Sequence, residues 1–160
     1  MCYRSGRTAK SVLIDTGPLV AALRRRDAHH EWARAHFDAA TEPFATCEAV
    51  ISETLFLLEP ARGGKEALCG LIERGVIVIR DSFDEELAET LRLIRRYNDT
   101  PMTFADACLV RMAEKNDETL VFTTDSDFRT YRKNGRQVIP LIIPNSAQSE
   151  LVRLWTPEMR

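Results

Sequence analysis

Four short apolar runs constrain this chain more than any other feature: Val12-Leu13-Ile14, Val76-Ile77-Val78-Ile79, Leu120-Val121-Phe122-Thr123 and Leu141-Ile142-Ile143. None of them alternates apolar with polar residues. A strand with one wet face alternates with period two, whereas a strand covered on both faces is apolar almost throughout. The runs therefore predict buried strands of a parallel sheet. Phe44-Ala45-Thr46 is a shorter fifth candidate. Helical patterns stand between the runs. Pro18 suits the first turn of a helix through Leu19, Val20 and Leu23, because a first turn has no use for its missing N–H. Trp32, Ala35, Phe37 and Ala39 mark a helix over His29–Ala39. Others are expected over Glu48–Glu59, Lys65–Arg74, Asp84–Tyr97 and Phe104–Asn116, the last with Thr103 as its N-cap, and a shorter one near Ser126. Strands alternating with helices predict βαβ units, and so the α/β class.

At 160 residues with 44% hydrophobic content, the chain suits one domain with a single core. Its net charge of −2 carries no nucleic-acid footprint, so positive charge has to be concentrated locally to bind such a partner. Cys2, Cys47, Cys69 and Cys108 are widely spaced and form no CxxC pair, which predicts small core residues in a reducing compartment. No apolar run approaches the roughly 18 residues of a membrane span. Residues 1–10 are polar and basic, without the apolar core of a signal peptide. The cytoplasm is the expected location. The expected division is a flexible extension over 1–10, a domain over 11–145, and a tail over 146–160 docked through Leu151, Val152, Leu154 and Trp155.

Four acids occupy positions that surface polarity does not explain. Asp15 ends the first run, before Thr16-Gly17-Pro18. That is the carboxyl end of a strand, where open α/β sheets bind ligands, or else a cap for the helix at Pro18. Asp125 ends the third run, and Asp127 follows it, with a capping role favoured for Asp127. Glu53 lies three residues after Val50 and four before Leu57, on their helix face. Asp106 precedes Leu109, Val110 and Ala113 at helical spacing, near a helix N-terminus that itself favours an acid. A buried carboxylate without a partner is expensive, and no Lys or Arg stands one turn from Asp106.

If the four converge, each raises the others' pKa, and a divalent cation removes the conflict. Oxygen ligands without Cys or His suit Mg²⁺ or Mn²⁺ rather than Zn²⁺. One or two such ions activate water against a phosphodiester and stabilise the leaving oxygen. The acids thus predict metal-assisted phosphodiester hydrolysis.

These residues resemble a known family. Val12-Leu13-Ile14-Asp15-Thr16-Gly17-Pro18-Leu19 is similar to the first-strand motif of PIN-domain nucleases. Thr46 with Glu53 resembles their second motif, Ala105-Asp106-Ala107 the third, and Phe122-Thr123-Thr124-Asp125-Ser126-Asp127-Phe128 the fourth. Each motif alone is weak; all four in order are fairly specific. Among PIN proteins, the likeness is to the single-domain VapC-type toxins of type II toxin–antitoxin systems. It implies a three-layer α/β/α sandwich with a mainly parallel central sheet. It also implies Mg²⁺- or Mn²⁺-dependent endoribonuclease activity, a homodimer, and inhibition by a cognate antitoxin protein. By the same resemblance Asp15 and Asp106 are the principal metal ligands, Glu53 holds the metal or its waters, and Asp125 completes the cluster. Thr16 or Thr124 would hydrogen-bond the carboxylates, with Thr46 and Asp127 in support.

Arg24-Arg25-Arg26 reads as a solvated helix end, and Arg92, Arg95 and Arg96 as a second basic surface. Arg129, Arg132 and Lys133, with Arg136 beyond, follow the fourth acidic motif and are the expected RNA contacts. His29, His30 and His36 have poor spacing for a metal and read as packing residues. Phe56, Leu57 and Leu58 read as core, or as a surface for a second copy or an antitoxin. Two other functions compete. An aspartyl-phosphate phosphatase needs a second Asp where this chain has Gly17. A PIN-fold module that binds RNA or protein without cutting satisfies the fold but leaves the acids unused.

Overall fold

The computed structural model describes residues 10–80 and 83–145. Cys2, the expected extension short of Lys10, and the expected docked tail lie outside the described residues. The chain runs β1 (Val12–Ile14), α1 (Thr16–Leu23), α2 (His30–Ala39), β2 (Phe44–Thr46), α3 (Glu48–Leu57), α4 (Gly64–Glu73) and β3 (Ile77–Ile79). It continues through α5 (Phe83–Arg96), α6 (Phe104–Glu114), β4 (Leu120–Phe122), a 3₁₀ turn (Ser126–Arg129), β5 (Arg132–Lys133), β6 (Gln137–Val138) and β7 (Leu141–Ile142). Five strands form one sheet in the order β3-β2-β1-β4-β7, every pair parallel. Helices cover both sides, which gives the three-layer α/β/α sandwich.

The apolar runs form strands because both of their faces are covered. Leu13, Ile14, Val121 and Phe122 are all buried, and Ile77 joins them from β3. Phe44-Ala45-Thr46 is the fifth strand, and Thr46 Oγ1 donates to the Ile14 carbonyl at 2.8 Å, tying β2 to β1. The helix at Pro18 begins earlier, at Thr16, and leaves Pro18 in its first turn. On α3 the buried side chains are Val50 and Thr54, with Leu58 next, so the inward stripe advances by four. Leu57, expected on the core face with Glu53, is 43% exposed, and Phe56 is 79% exposed. Cys47 and Cys108 are buried as expected, but Cys69 is exposed on α4. His30 and His36 take packing roles: the Nδ1 of each is hydrogen-bonded to a carbonyl, of Ala21 and Trp32 respectively.

The antiparallel β5–β6 hairpin was not apparent from the apolar pattern, because its strands are two residues each and mostly polar. Asn134 and Gly135 turn it with positive φ (50° and 78°), the conformation an Asn-Gly pair favours.

Gly17, in the first turn of α1, matters for packing rather than for turning. A Cβ there would overlap Thr124 Oγ1 and lie 3.2 Å from Thr124 Cβ. Helix propensity alone makes Gly17→Ala stabilising by about 1 kcal/mol, whereas overpacking costs about 1–3 kcal/mol. We expect urea denaturation to show a net loss, restored by adding Thr124→Ala. A Gly17→Ala variant more stable than wild type would rule the contact out.

Candidate functional site

Three acids meet at one end of the sheet, each at the N-terminus of a helical segment. Asp15 caps α1, with Oδ1 accepting from the Thr16 N–H at 2.7 Å. Its Oδ2 accepts from Thr123 Oγ1 at 2.7 Å, and its own N–H donates to the Phe122 carbonyl at 2.9 Å. Asp106 is the acidic half of a capping box at the start of α6. Its N–H donates to Thr103 Oγ1 at 3.1 Å, and its Oδ2 accepts from the Thr103 N–H at 3.0 Å. The buried Tyr131 hydroxyl donates to that same oxygen at 3.2 Å. Asp125 caps the 3₁₀ turn, with Oδ1 accepting from the Asp127 N–H at 2.8 Å. Its own N–H donates to Thr123 Oγ1 at 2.9 Å, so Thr123 links two of the acids.

The electrostatics show strain that these bonds do not relieve. Burial pushes Asp15 up to about 7. The hydrogen bonds from Thr123 and Thr16 oppose that rise, and the charges of Asp106 and Asp125 add to it. Asp106 is raised too, first by burial and then by Asp125, against the lowering effect of its bonds from Thr103 and Tyr131. Burial, and then the charge of Asp106, pushes the Tyr131 hydroxyl up, so it remains a donor. Among the described residues no Lys or Arg forms an ion pair with Asp15, Asp106 or Asp125. Glu53 is half-buried and accepts from Thr16 Oγ1 at 3.1 Å, joining the group through the residue after Asp15.

This donor set fits Mg²⁺ or Mn²⁺ in chemistry, being all oxygen, anionic and uncompensated. Among the described residues no three His, Cys, Asp or Glu side chains already close around one ion position. Mg²⁺ is usually held by one or two carboxylates and keeps several waters.

Several expected details differ. Asp125, not Asp127, makes the cap, because the 3₁₀ segment starts at Ser126. Of the two threonines expected on the carboxylates, Thr16 bonds Glu53 and Asp15, while Thr123 takes the place of Thr124: pairing of Ile14 with Phe122 sets Thr123 beside Asp15, and Thr124 turns toward Gly17. Lys133 is 5% exposed, and its Nζ donates to the Asp117 carbonyl at 3.1 Å, so it faces the chain rather than RNA. Arg132 Nη1 is engaged by the carbonyls of Arg129, Thr130 and Tyr131. Arg129 is exposed. Thr123 and Tyr131 were missed. Neither carries a signal of its own, since the first depends on strand register and the second on a tertiary contact.

The fold is thus a parallel α/β sandwich with an acidic cluster at one end of its sheet. A PIN-domain family profile matches residues 12–134, and the chain belongs to the PIN-domain family. Its fold is similar to that of Mycobacterium tuberculosis VapC20, described as a Sarcin-Ricin loop cleaving toxin, with a TM-score of 0.68 at 19% identity. The match covers 75% of this chain and 94% of that one. No curated protein matches the chain in sequence.

An acid raised in the folded state binds more protons there than when unfolded. Stability therefore falls as pH rises from about 4 toward 7, and levels off above. In metal-free buffer we expect the wild-type melting temperature to decline over that window, and Asp15→Asn to flatten the decline. A wild-type stability that climbs with pH through the same window would contradict this assignment.

Proposed function

We propose that this protein is an Mg²⁺- or Mn²⁺-dependent endoribonuclease and the toxin of a type II toxin–antitoxin pair. The observation that supports it most is the gathering of Asp15, Asp106 and Asp125 from three separate elements, with no cation of the described chain among them. In this reading Asp15 and Asp106 hold the ion, while Asp125 and Glu53 hold its waters. When bound, the ion neutralises the acids and acts as a Lewis acid toward the phosphodiester.

The chain's own residues fix the orientation of the acids. Thr16 N–H and Thr123 Oγ1 each hold one oxygen of Asp15. Thr103 N–H and the Tyr131 hydroxyl both hold Oδ2 of Asp106, leaving Oδ1 without a hydrogen-bond partner among the described residues. Each held oxygen of Asp15 retains a further lone pair for a ligand. The exposed Phe56 and Leu57 share a hollow with Ser52 and Glu53 and suit a protein contact beside the site, either a second copy or an antitoxin. Residues 11–145 form the nuclease domain in this reading. A toxin acting on cellular RNA works in the cytoplasm in this reading. Among the described residues no helix is long and apolar enough to cross a membrane.

Purified protein should cleave RNA with Mg²⁺ or Mn²⁺ and not with EDTA, and Asp106→Asn should lower the rate on the order of 100-fold or more. An RNA containing the sarcin–ricin loop is the first substrate to try, since that is what VapC20 is described as cutting. Cleavage undiminished by EDTA would reject the metal. RNA binding with no cleavage under any condition would leave a PIN-fold binding module.

A further inference from the structure

We infer that Arg96 is a phosphate-binding residue for RNA, seated in a second hollow that takes a nucleotide beyond the scissile bond. The inference rests on the ribonuclease reading and names where the strand lies. The hollow has a volume of about 390 Å³, and its lining includes Arg92, Arg96 and Arg111 together with the acids Glu89 and Glu114. That size is within the range of small-ligand clefts.

Charge pairing singles out one residue in it. Arg111 is engaged by Glu86 and Glu114, and Arg92 by Glu89. Glu114 also accepts from the Asn134 N–H at 2.8 Å. Arg96 has no carboxylate partner among the described residues. Its Nη2 donates to the Gly135 carbonyl at 2.9 Å, and its guanidinium carbon stands 5.7 Å from the centre of the Tyr97 ring. Gly135 makes the approach possible, since a Cβ there would come within 3.1 Å of Arg96 Nη1. The side chain is thus held in place with positive charge and spare donors, and a planar guanidinium fork of this kind matches two oxygens of a phosphate.

The hollow lies toward the C-terminal end of α6, with the packed Tyr97–Tyr131 pair between it and the acids. The Tyr97 ring meets the Tyr131 ring edge-on at 5.1 Å, and Tyr131 donates to Asp106. Tyr97 also accepts from the Arg132 N–H at 2.9 Å, which fixes the β5 strand beside α5. A strand with its reacting phosphate at Asp106 therefore passes Arg96 within a few nucleotides. Lys133 is turned inward and Arg132 is engaged by carbonyls, so Arg96 is the arginine held in place beside the hollow, with the exposed Arg95, Arg129 and Arg136 as further positive charge.

The test compares wild type with Arg96→Ala, Arg96→Lys and, as a charge-matched change on α2, Arg34→Ala. Cleavage kinetics with Mg²⁺ or Mn²⁺ and RNA binding by fluorescence anisotropy are both measured, on single-stranded oligonucleotides trimmed stepwise from each end. We expect Arg96→Ala to raise KM and Kd about tenfold on long RNA with kcat unchanged. The slope of log affinity against log salt should fall by about 0.7. Arg96→Lys should lie between the two, and Arg34→Ala should match wild type. Trimming from one end should abolish the difference between Arg96→Ala and wild type. If wild type cleaves and Arg96→Ala matches it in KM, Kd and salt slope, the subsite is wrong and the ribonuclease reading stands. If wild type binds RNA through Arg96 without cutting it, the subsite stands and the ribonuclease reading falls. If it neither binds nor cuts, both fall.

Discussion

The register between β1 and β4 is the constraint on which the rest of the site depends. Ile14 pairs with Phe122, so the residues that follow, Asp15 and Thr123, come out side by side at the sheet's end. The Thr123 hydroxyl then does two things at once: it donates to Asp15 and accepts from the Asp125 N–H. A slip of one residue would exchange Thr123 for Thr124 and turn the hydroxyl to the opposite face. The register does not slip because Leu13, Ile14, Val121 and Phe122 are all buried, and a shift would displace their packing on both faces. Hydrophobic contacts within the sheet thus hold a polar arrangement beyond its edge.

Capping and clustering are the same event in this fold. Asp15, Asp106 and Asp125 each accept a backbone N–H at the start of a helical segment, an ordinary stabilising role worth about 1 kcal/mol for a good cap. The helix ends also carry partial positive charge, which favours the ionised form. What is not ordinary is that three such starts lie together, so that the acids repel one another where water is scarce. Local caps set the position of each side chain, and the topology of the sheet creates the conflict. Burial outweighs the caps at Asp15, which is why its proton is held to about 7 despite two hydrogen bonds. A fold optimised only for stability would not place three acids this way, and sites that break local consistency are where function is expected.

Much of this was legible in the residues because it depends on short-range pattern. The apolar runs show which segments are buried on two sides, and the acids stand next to them in sequence. Thr103 as the N-cap of α6 follows from its position before an apolar stripe, and the structure bears this out. What was not legible depends on contacts between distant segments. Whether Thr123 or Thr124 faces Asp15 is a matter of pairing register, which neither residue encodes alone. Leu57 looked inward with Glu53 because a spacing of three or four allows two neighbouring stripes, and the packing chose Val50-Thr54-Leu58. Tyr131 sits in a polar stretch and becomes part of the site only because the chain after the 3₁₀ turn folds back toward α6.

The basic residues illustrate the same limit from the other direction. A cluster in sequence, Arg129 through Arg136, looked like the place for RNA, yet two of its members serve the fold: Lys133 closes on Asp117, and Arg132 gathers three carbonyls. Where α5 packs on α6, Arg111 and Lys115 pair with Glu86 across the helices and Arg111 pairs with Glu114 along its own, which cancels charge there. With the net charge near zero, the sign at any point on the surface is set by which groups have been paired, not by how many there are. Around α5 and α6, negative charge without an ion pair among the described residues stands at Asp15, Asp106 and Asp125, and Arg96 is the arginine of the hollow left without a carboxylate. Two packed tyrosines separate them. A single polyanion bound across both would need a cation at one end and a guanidinium at the other, and the rigid aromatic pair fixes the distance between those two demands.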